Sequence, residues 1–254
     1  MKLGVFDSGV GGLSVLKSLL EAKLFDSIVY YGDTARVPYG TKDSETIKSF
    51  CLQSLDFFLQ NQVDMLVVAC NTASAYALDS LQNKAPFPVI GVITPGVIAT
   101  SNKLKDKNSQ ILVIATKATI KSNIYAQQLE LAGFYNVKSL PTGLFVAFVE
   151  DGILSGALLE QLCKHYFKDI NAPSAVILGC THFPLIANTL QQYFGEQTLL
   201  IHSGEAIVEY ICANFHIPQN QELKHLQFHA SDDTNSLKNT AKLWLGPLYH
   251  KVSP

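Results

Sequence analysis

Short apolar, β-branched runs recur along the chain at 3–6, 28–31, 65–69, 89–92, 111–115, 176–178 and 199–201. Between them lie stretches whose apolar positions follow a helical period, among them 43–60, 72–83, 119–132, 154–167 and 206–215. Runs that are apolar throughout suit strands covered on both faces, and the intervening stretches are long enough for crossover helices. The alternation therefore predicts an α/β protein with parallel sheets. No low-complexity or Pro-rich linker divides the chain. Two weaker turn signals do: Thr94-Pro95-Gly96, directly after a strand-like run, and Ser203-Gly204. If the chain crosses between domains at both, residues 1–92 plus 207–254 form a first α/β domain and 93–206 a second.

A further pattern is an echo between the halves. Val67-Val68-Ala69-Cys70-Asn71-Thr72 and Ile177-Leu178-Gly179-Cys180-Thr181-His182 each run strand, small residue, cysteine, then polar residues that open a helix. Both cysteines are thereby expected at the carboxyl end of a parallel strand, where open α/β sheets bind ligands.

Composition narrows the function classes. The 254 residues are 48% hydrophobic and 16% charged, with 19 Lys and Arg against 21 Asp and Glu, which argues against disorder and against a nucleic-acid partner. Lys2 is followed by an apolar run that Asp7 ends, too short for a secretion signal or a membrane span, so the expectation is a cytoplasmic protein with no membrane partner.

Five cysteines at 51, 70, 163, 180 and 212 are odd in number, widely spaced and contain no C-x-x-C pair, which disfavours disulfides and zinc. Cys51, Cys163 and Cys212 read as small buried hydrophobes. Cys70 and Cys180, each at a helix start, read as thiols whose ionised form the helix N–H groups stabilise. His182 lies two residues past Cys180, a spacing that suits no usual metal pair, and no lysine marks a pyridoxal-phosphate site. The expectation is no metal and no cofactor.

Three other strand tips carry polar residues. Asp7-Ser8-Gly9-Val10-Gly11-Gly12 lacks both the dinucleotide and the P-loop spacing, yet pairs Asp7 with Ser8 where a substrate ammonium can be received. Residues 31–40, which include Tyr39 and Gly40, form a long loop with backbone N–H groups. Thr116 and Thr119 open another helix, where plain capping by Thr116 is the simpler role. Glu150-Asp151-Gly152 reads as a turn with solvated acids.

Residues 6–14, Tyr31-Gly32-Asp33 with Val37-Pro38-Tyr39-Gly40, Ala69-Cys70-Asn71-Thr72-Ala73-Ser74 and Gly179-Cys180-Thr181-His182-Phe183-Pro184-Leu185 together resemble the bacterial glutamate racemases, as does Ser203-Gly204-Glu205-Ala206. The resemblance implies two similar α/β domains with parallel central sheets, related by a pseudo-twofold axis, with glutamate in the cleft and one cysteine on each side. It implies catalytic roles for Cys70 and Cys180, with Asp7 assisting the first thiol, His182 the second, and Glu150 nearby. It places Asp7, Ser8, Tyr39, Gly40, Asn71, Thr72, Thr116, Thr119, Thr181 and His182 around the substrate. It also implies that the first thiol faces D-glutamate and the second L-glutamate, and that the D-glutamate goes to peptidoglycan. Thr94 departs from the family's usual acidic residue, and Ala230-Ser231-Asp232-Asp233 is a loose version of a carboxyl-terminal segment.

The resemblance suits the chemistry, because two bases on opposite faces of Cα invert it without turning the substrate over. Apolar helices in an enzyme of this size also suggest a homodimer. An aspartate or other amino-acid racemase of the same fold is the nearest alternative. A non-catalytic amino-acid-binding protein would use the same cleft without needing either thiol, and a thiol oxidoreductase would need resolving cysteines that the spacing does not supply.

Overall fold

The structure is a computed structural model and describes residues 1–250. Its strands are β1 (Lys2–Asp7), β2 (Ser27–Gly32), β3 (Met65–Val68), β4 (Val89–Gly91), β5 (Ile111–Ala115), β6 (Val137–Pro141), β7 (Ala175–Gly179), β8 (Leu199–Ile201) and β9 (His225–Ala230). They form two sheets, ordered β4-β3-β1-β2-β9 and β6-β5-β7-β8, and every pairing is parallel. The protein is thus built of two parallel-sheet α/β domains. Read from its far edge, the second sheet runs β8-β7-β5-β6 and repeats the β4-β3-β1-β2 order of the first. Strands β3 and β7, which lead into Cys70 and Cys180, are therefore topological equivalents, and β9 is an added edge.

Both faces of each sheet are covered, which explains the unbroken apolar runs. Leu3, Val5, Met65 and Val67 face one core while Phe6, Leu66 and Val68 face the other. Leu112, Ile114, Val176 and Leu178 likewise oppose Ile111, Val113, Ala175 and Ile177. The helix Ser203–Asn214 packs against both Leu13–Ala22 and Ile93–Lys103 and divides its apolar residues between two cores.

Several sequence expectations need correction. Edge strands β6 and β9 escape the apolar-run criterion because their sequences, VKSLP and HLQFHA, alternate with polar residues and stay partly exposed. Thr94-Pro95-Gly96 is no turn but the start of the helix Ile93–Lys103, where proline is tolerated in the first turn. The stretch 119–132 is two helices, Lys117–Ser122 and Ile124–Leu131, divided at Asn123, whose φ of 58° is left-handed. Cys180 precedes a short 3-10 turn, Phe183–Ile186, where the sequence predicted the start of an α-helix. Cys212 is exposed rather than buried. Asp233, in the loose carboxyl-terminal segment, caps the helix Thr234–Leu245 by accepting from Asn235 N–H at 2.8 Å.

Candidate active site

The carboxyl ends of β1, β2, β3, β5 and β7 converge on a cavity of about 570 Å³. Ser8, Tyr39, Gly40, Cys70, Asn71, Thr72, Thr116, Glu150, Cys180, Thr181 and His182 border it. Of the residues singled out in the sequence, only Asp7 and Thr119 stand behind this wall. Asp7 is fully buried and Thr119 supports Thr72 and Thr116, the three hydroxyls forming a triangle with sides of 2.9–3.0 Å.

The two thiols have different surroundings. Cys70 caps the helix Asn71–Lys84; its thiol donates to Ser8 Oγ at 3.4 Å and its sulfur accepts from Ala73 N–H at 3.4 Å. Burial pushes the Cys70 thiol up to about 12, aided by the charge of Asp7 and only partly opposed by those hydrogen bonds. Desolvation outweighs the helix start that the sequence suggested would favour the thiolate. Cys180 Sγ lies 3.7 Å from His182 Nδ1, while His182 Nε2 meets Glu150 Oε1 at 3.0 Å. Glu150 is therefore not an idle acid in a turn: it ends the helix Leu144–Glu150 and anchors an imidazole.

Burial opposes charge on His182, but hydrogen bonds to Cys180 and Glu150, with the charges of Cys180 and Asp7, push its pKa up to about 10. A proton bound more tightly in the folded than in the unfolded chain stabilises the fold fully below about pH 6.5, the ordinary histidine value. That contribution fades as pH rises through 10. His182→Asn should consequently lower Tm most near pH 6, with the gap to wild type narrowing toward pH 10. A gap that widens with pH in thermal melts would show that His182 is neutral in the fold.

Asp7 accepts from Gly9 N–H at 2.9 Å and from the Thr181 hydroxyl at 3.5 Å, so a carboxylate of the first sheet touches a residue beside the second thiol. Burial raises its pKa, against the lowering effect of His182 and the Gly9 and Gly12 N–H groups. Ser14 Oγ donates to Thr181 C=O at 2.6 Å and closes the same seam.

Cys70 from one sheet, backed by the buried Asp7, thus shares one cavity with Cys180 and His182 from the other, which suits proton transfer at a single carbon held between the thiols. Residues 8–211 match the sequence profile described as Asp/Glu/Hydantoin racemase. The chain belongs to that family. As a racemase it is an isomerase. It is 61% identical over 248 residues to glutamate racemase from Campylobacter jejuni, spanning 98% of this chain and 99% of that protein. The crystal structure of the Campylobacter jejuni enzyme superposes with a TM-score of 0.96 at the same identity and coverage. Glutamate racemase from Francisella tularensis, solved in complex with D-glutamate, is 35% identical with a TM-score of 0.83, covering 96% of this chain and 93% of that one.

The candidate site also rests on residues that the sequence reading did not single out for a role. Asp33 accepts from the Tyr39 hydroxyl and pairs with Arg36 at 2.9 Å, while Arg36 stacks 4.6 Å over Phe50 and reaches Gln53. This fixes the loop that carries Tyr39 and Gly40. Gly40 lies so close to Thr116 that a Cβ there would sit 2.6 Å from its side chain. Asp33 was legible only as part of the loop motif. Gln53 carries no local signal, because its partner Arg36 lies 17 residues away on another element. Among the described residues no three His, Cys, Asp or Glu side chains gather as metal ligands, and no helix is long and apolar enough to cross a membrane.

Proposed function

We propose that this chain interconverts L- and D-glutamate by moving the α-proton between Cys70 and Cys180, without metal or organic cofactor, and that the D-glutamate serves peptidoglycan synthesis. The observation that carries the mechanism is the equivalence of β3 and β7, which brings one cysteine from each sheet to the same cavity. The substrate follows from the relatives, which bear the name glutamate racemase at up to 61% identity over nearly the whole chain.

In this mechanism a thiolate on one face removes the Cα proton, its electron pair remains on the substrate as an enolate-like carbanion, and the opposite thiol delivers its own proton. The sulfur that began as thiolate ends as thiol, and the other the reverse, so the pair titrates as a unit. The surroundings favour Cys70 protonated and donating to Ser8, while Cys180 lies beside the His182 ring. Asp7 then serves Cys70, while His182, held by Glu150, serves Cys180. Ser8, Tyr39, Gly40, Thr72, Thr116, Thr119 and Thr181 supply or support the hydroxyls and N–H groups that hold the carboxylates and the developing charge.

Residues 1–92 plus 207–254 as one domain and 93–206 as the other fit this reading; the first boundary meets the start of the helix Ile93–Lys103, and the second falls inside Ser203–Asn214. A cytoplasmic homodimer belongs to it as well. Circular dichroism of each glutamate enantiomer, with chelator present and no pyridoxal phosphate added, tests the activity: decay of both signals to zero is expected. Persistent ellipticity, or racemisation of aspartate in preference, would overturn the assignment.

A further inference from the structure

Asn71 immediately follows Cys70 and borders the cavity, yet its amide nitrogen is turned away from it. Nδ2 donates to the Tyr125 hydroxyl at 2.8 Å and to Ser203 Oγ at 3.3 Å. Ser203 in turn donates its only hydroxyl proton to Leu178 C=O at 3.4 Å, so toward Asn71 it can only accept. This fixes the sense of the amide: nitrogen toward Tyr125 and Ser203, oxygen away from them. Asn71 Oδ1 is buried and has no hydrogen-bond partner. A buried acceptor left in that state costs about 1–3 kcal/mol, which a donor arriving with the substrate removes.

The network also spans the two sheets. Asn71 starts the helix after β3, Tyr125 sits on the helix Ile124–Leu131, and Leu178 lies on β7 two residues before Cys180. The Tyr125 ring packs under the tip of β7, where a Cβ on Gly179 would meet it at 3.3 Å. Its ring is seated among Ile93, Val97 and Leu129, which leaves the hydroxyl as the one polar atom of a side chain that is 3% exposed.

We infer that Tyr125, with Ser203, is a positioning residue that holds the Asn71 amide with its oxygen free to accept the ammonium group of the amino-acid substrate. This rests on the glutamate reading above and adds a specificity element to it, since neither residue borders the cavity. An acceptor in that place selects for a protonated amine on Cα and gives nothing to a dicarboxylate that lacks one.

Tyr125→Phe removes the hydroxyl, keeps the ring and lets the amide turn over. The expected result is a rise in KM for both glutamate enantiomers of about 10-fold, the size of a hydrogen bond to a charged group, with kcat within about 3-fold. Glutarate, which has both carboxylates and no ammonium, should inhibit the variant as well as it inhibits wild type. Ser203→Ala should move the same quantities in the same direction. An unchanged KM in both variants would overturn the role, as would a loss of glutarate inhibition in step with the rise in KM, which is the mark of general damage to the cavity. Wild type assayed in parallel separates the two levels: wild-type protein inactive on glutamate overturns both readings, whereas active wild type with unaltered variants overturns only this one.

Discussion

Cys70→Ser and Cys180→Ser should each lose racemisation by about 10²–10⁴-fold, the usual worth of a positioned acid or base, because serine is far too weak an acid to replace a thiol. Neither change should harm the fold. Cys70 occupies a helix N-cap, where serine is among the preferred residues, and both side chains are small and buried at strand ends. Each variant retains one competent thiol on one face of the substrate. A glutamate-like analogue with a leaving group on Cβ needs only that one: abstraction of the Cα proton expels the leaving group, and no proton is returned. The resemblance implies that the first thiol faces D-glutamate, so Cys180→Ser should eliminate from the D analogue and Cys70→Ser from the L analogue. Product release followed by absorbance, with each enantiomer tried on each variant, checks the assignment. If both variants process the same enantiomer, or either racemises at the wild-type rate, the two-base scheme is wrong.

Gly11→Ala should reduce kcat/KM by about 100-fold while leaving the secondary structure intact. Gly11 precedes the helix Leu13–Ala22 of the first domain and lies against the segment that carries the second thiol. A Cβ there would overlap the Thr181 hydroxyl and stand 2.6 Å from the His182 ring. Neither neighbour can easily yield. Thr181 is tied to Asp7 through its hydroxyl and to Ser14 through its carbonyl, and the His182 ring is held between Cys180 and Glu150 with Trp244 edge-on at 6.1 Å. The methyl group must therefore part the two sheets' strand tips or swing His182 from Cys180. Displacement of a catalytic group by about 1 Å is worth that much in rate. Activity within 3-fold of wild type, with an unaltered far-ultraviolet spectrum, would refute this account of the seam.

Much of this architecture is written in local pattern. Seven of the strands announce themselves as apolar runs because a parallel sheet covered on both faces leaves little room for polar residues, whereas two of the four edge strands, β6 and β9, alternate with polar residues and escape that criterion. The echo around Cys70 and Cys180 is legible because both follow equivalent strands, β3 and β7, and that repetition marks the candidate thiols in the sequence itself. Local pattern also singled out Asp7 and Thr116, since each directly follows an apolar run.

Tertiary structure decided what those groups are and which of them meet. No spacing rule joins Glu150 to His182 or Asp7 to Thr181, because those contacts lie between elements 32 and 174 residues apart. Burial, a property of the whole fold, reversed the expectation for Cys70, where desolvation overrides the helix start and keeps the sulfur protonated. The same holds for Asn71, whose amide nitrogen is committed to Tyr125 and Ser203, partners on distant elements. Residue types and their order fix which chemistry is on offer at each strand tip, since that depends on the chain's own period and turns. Charge state and hydrogen-bonding sense depend on neighbours brought in from a distance, and only the packed molecule supplies them.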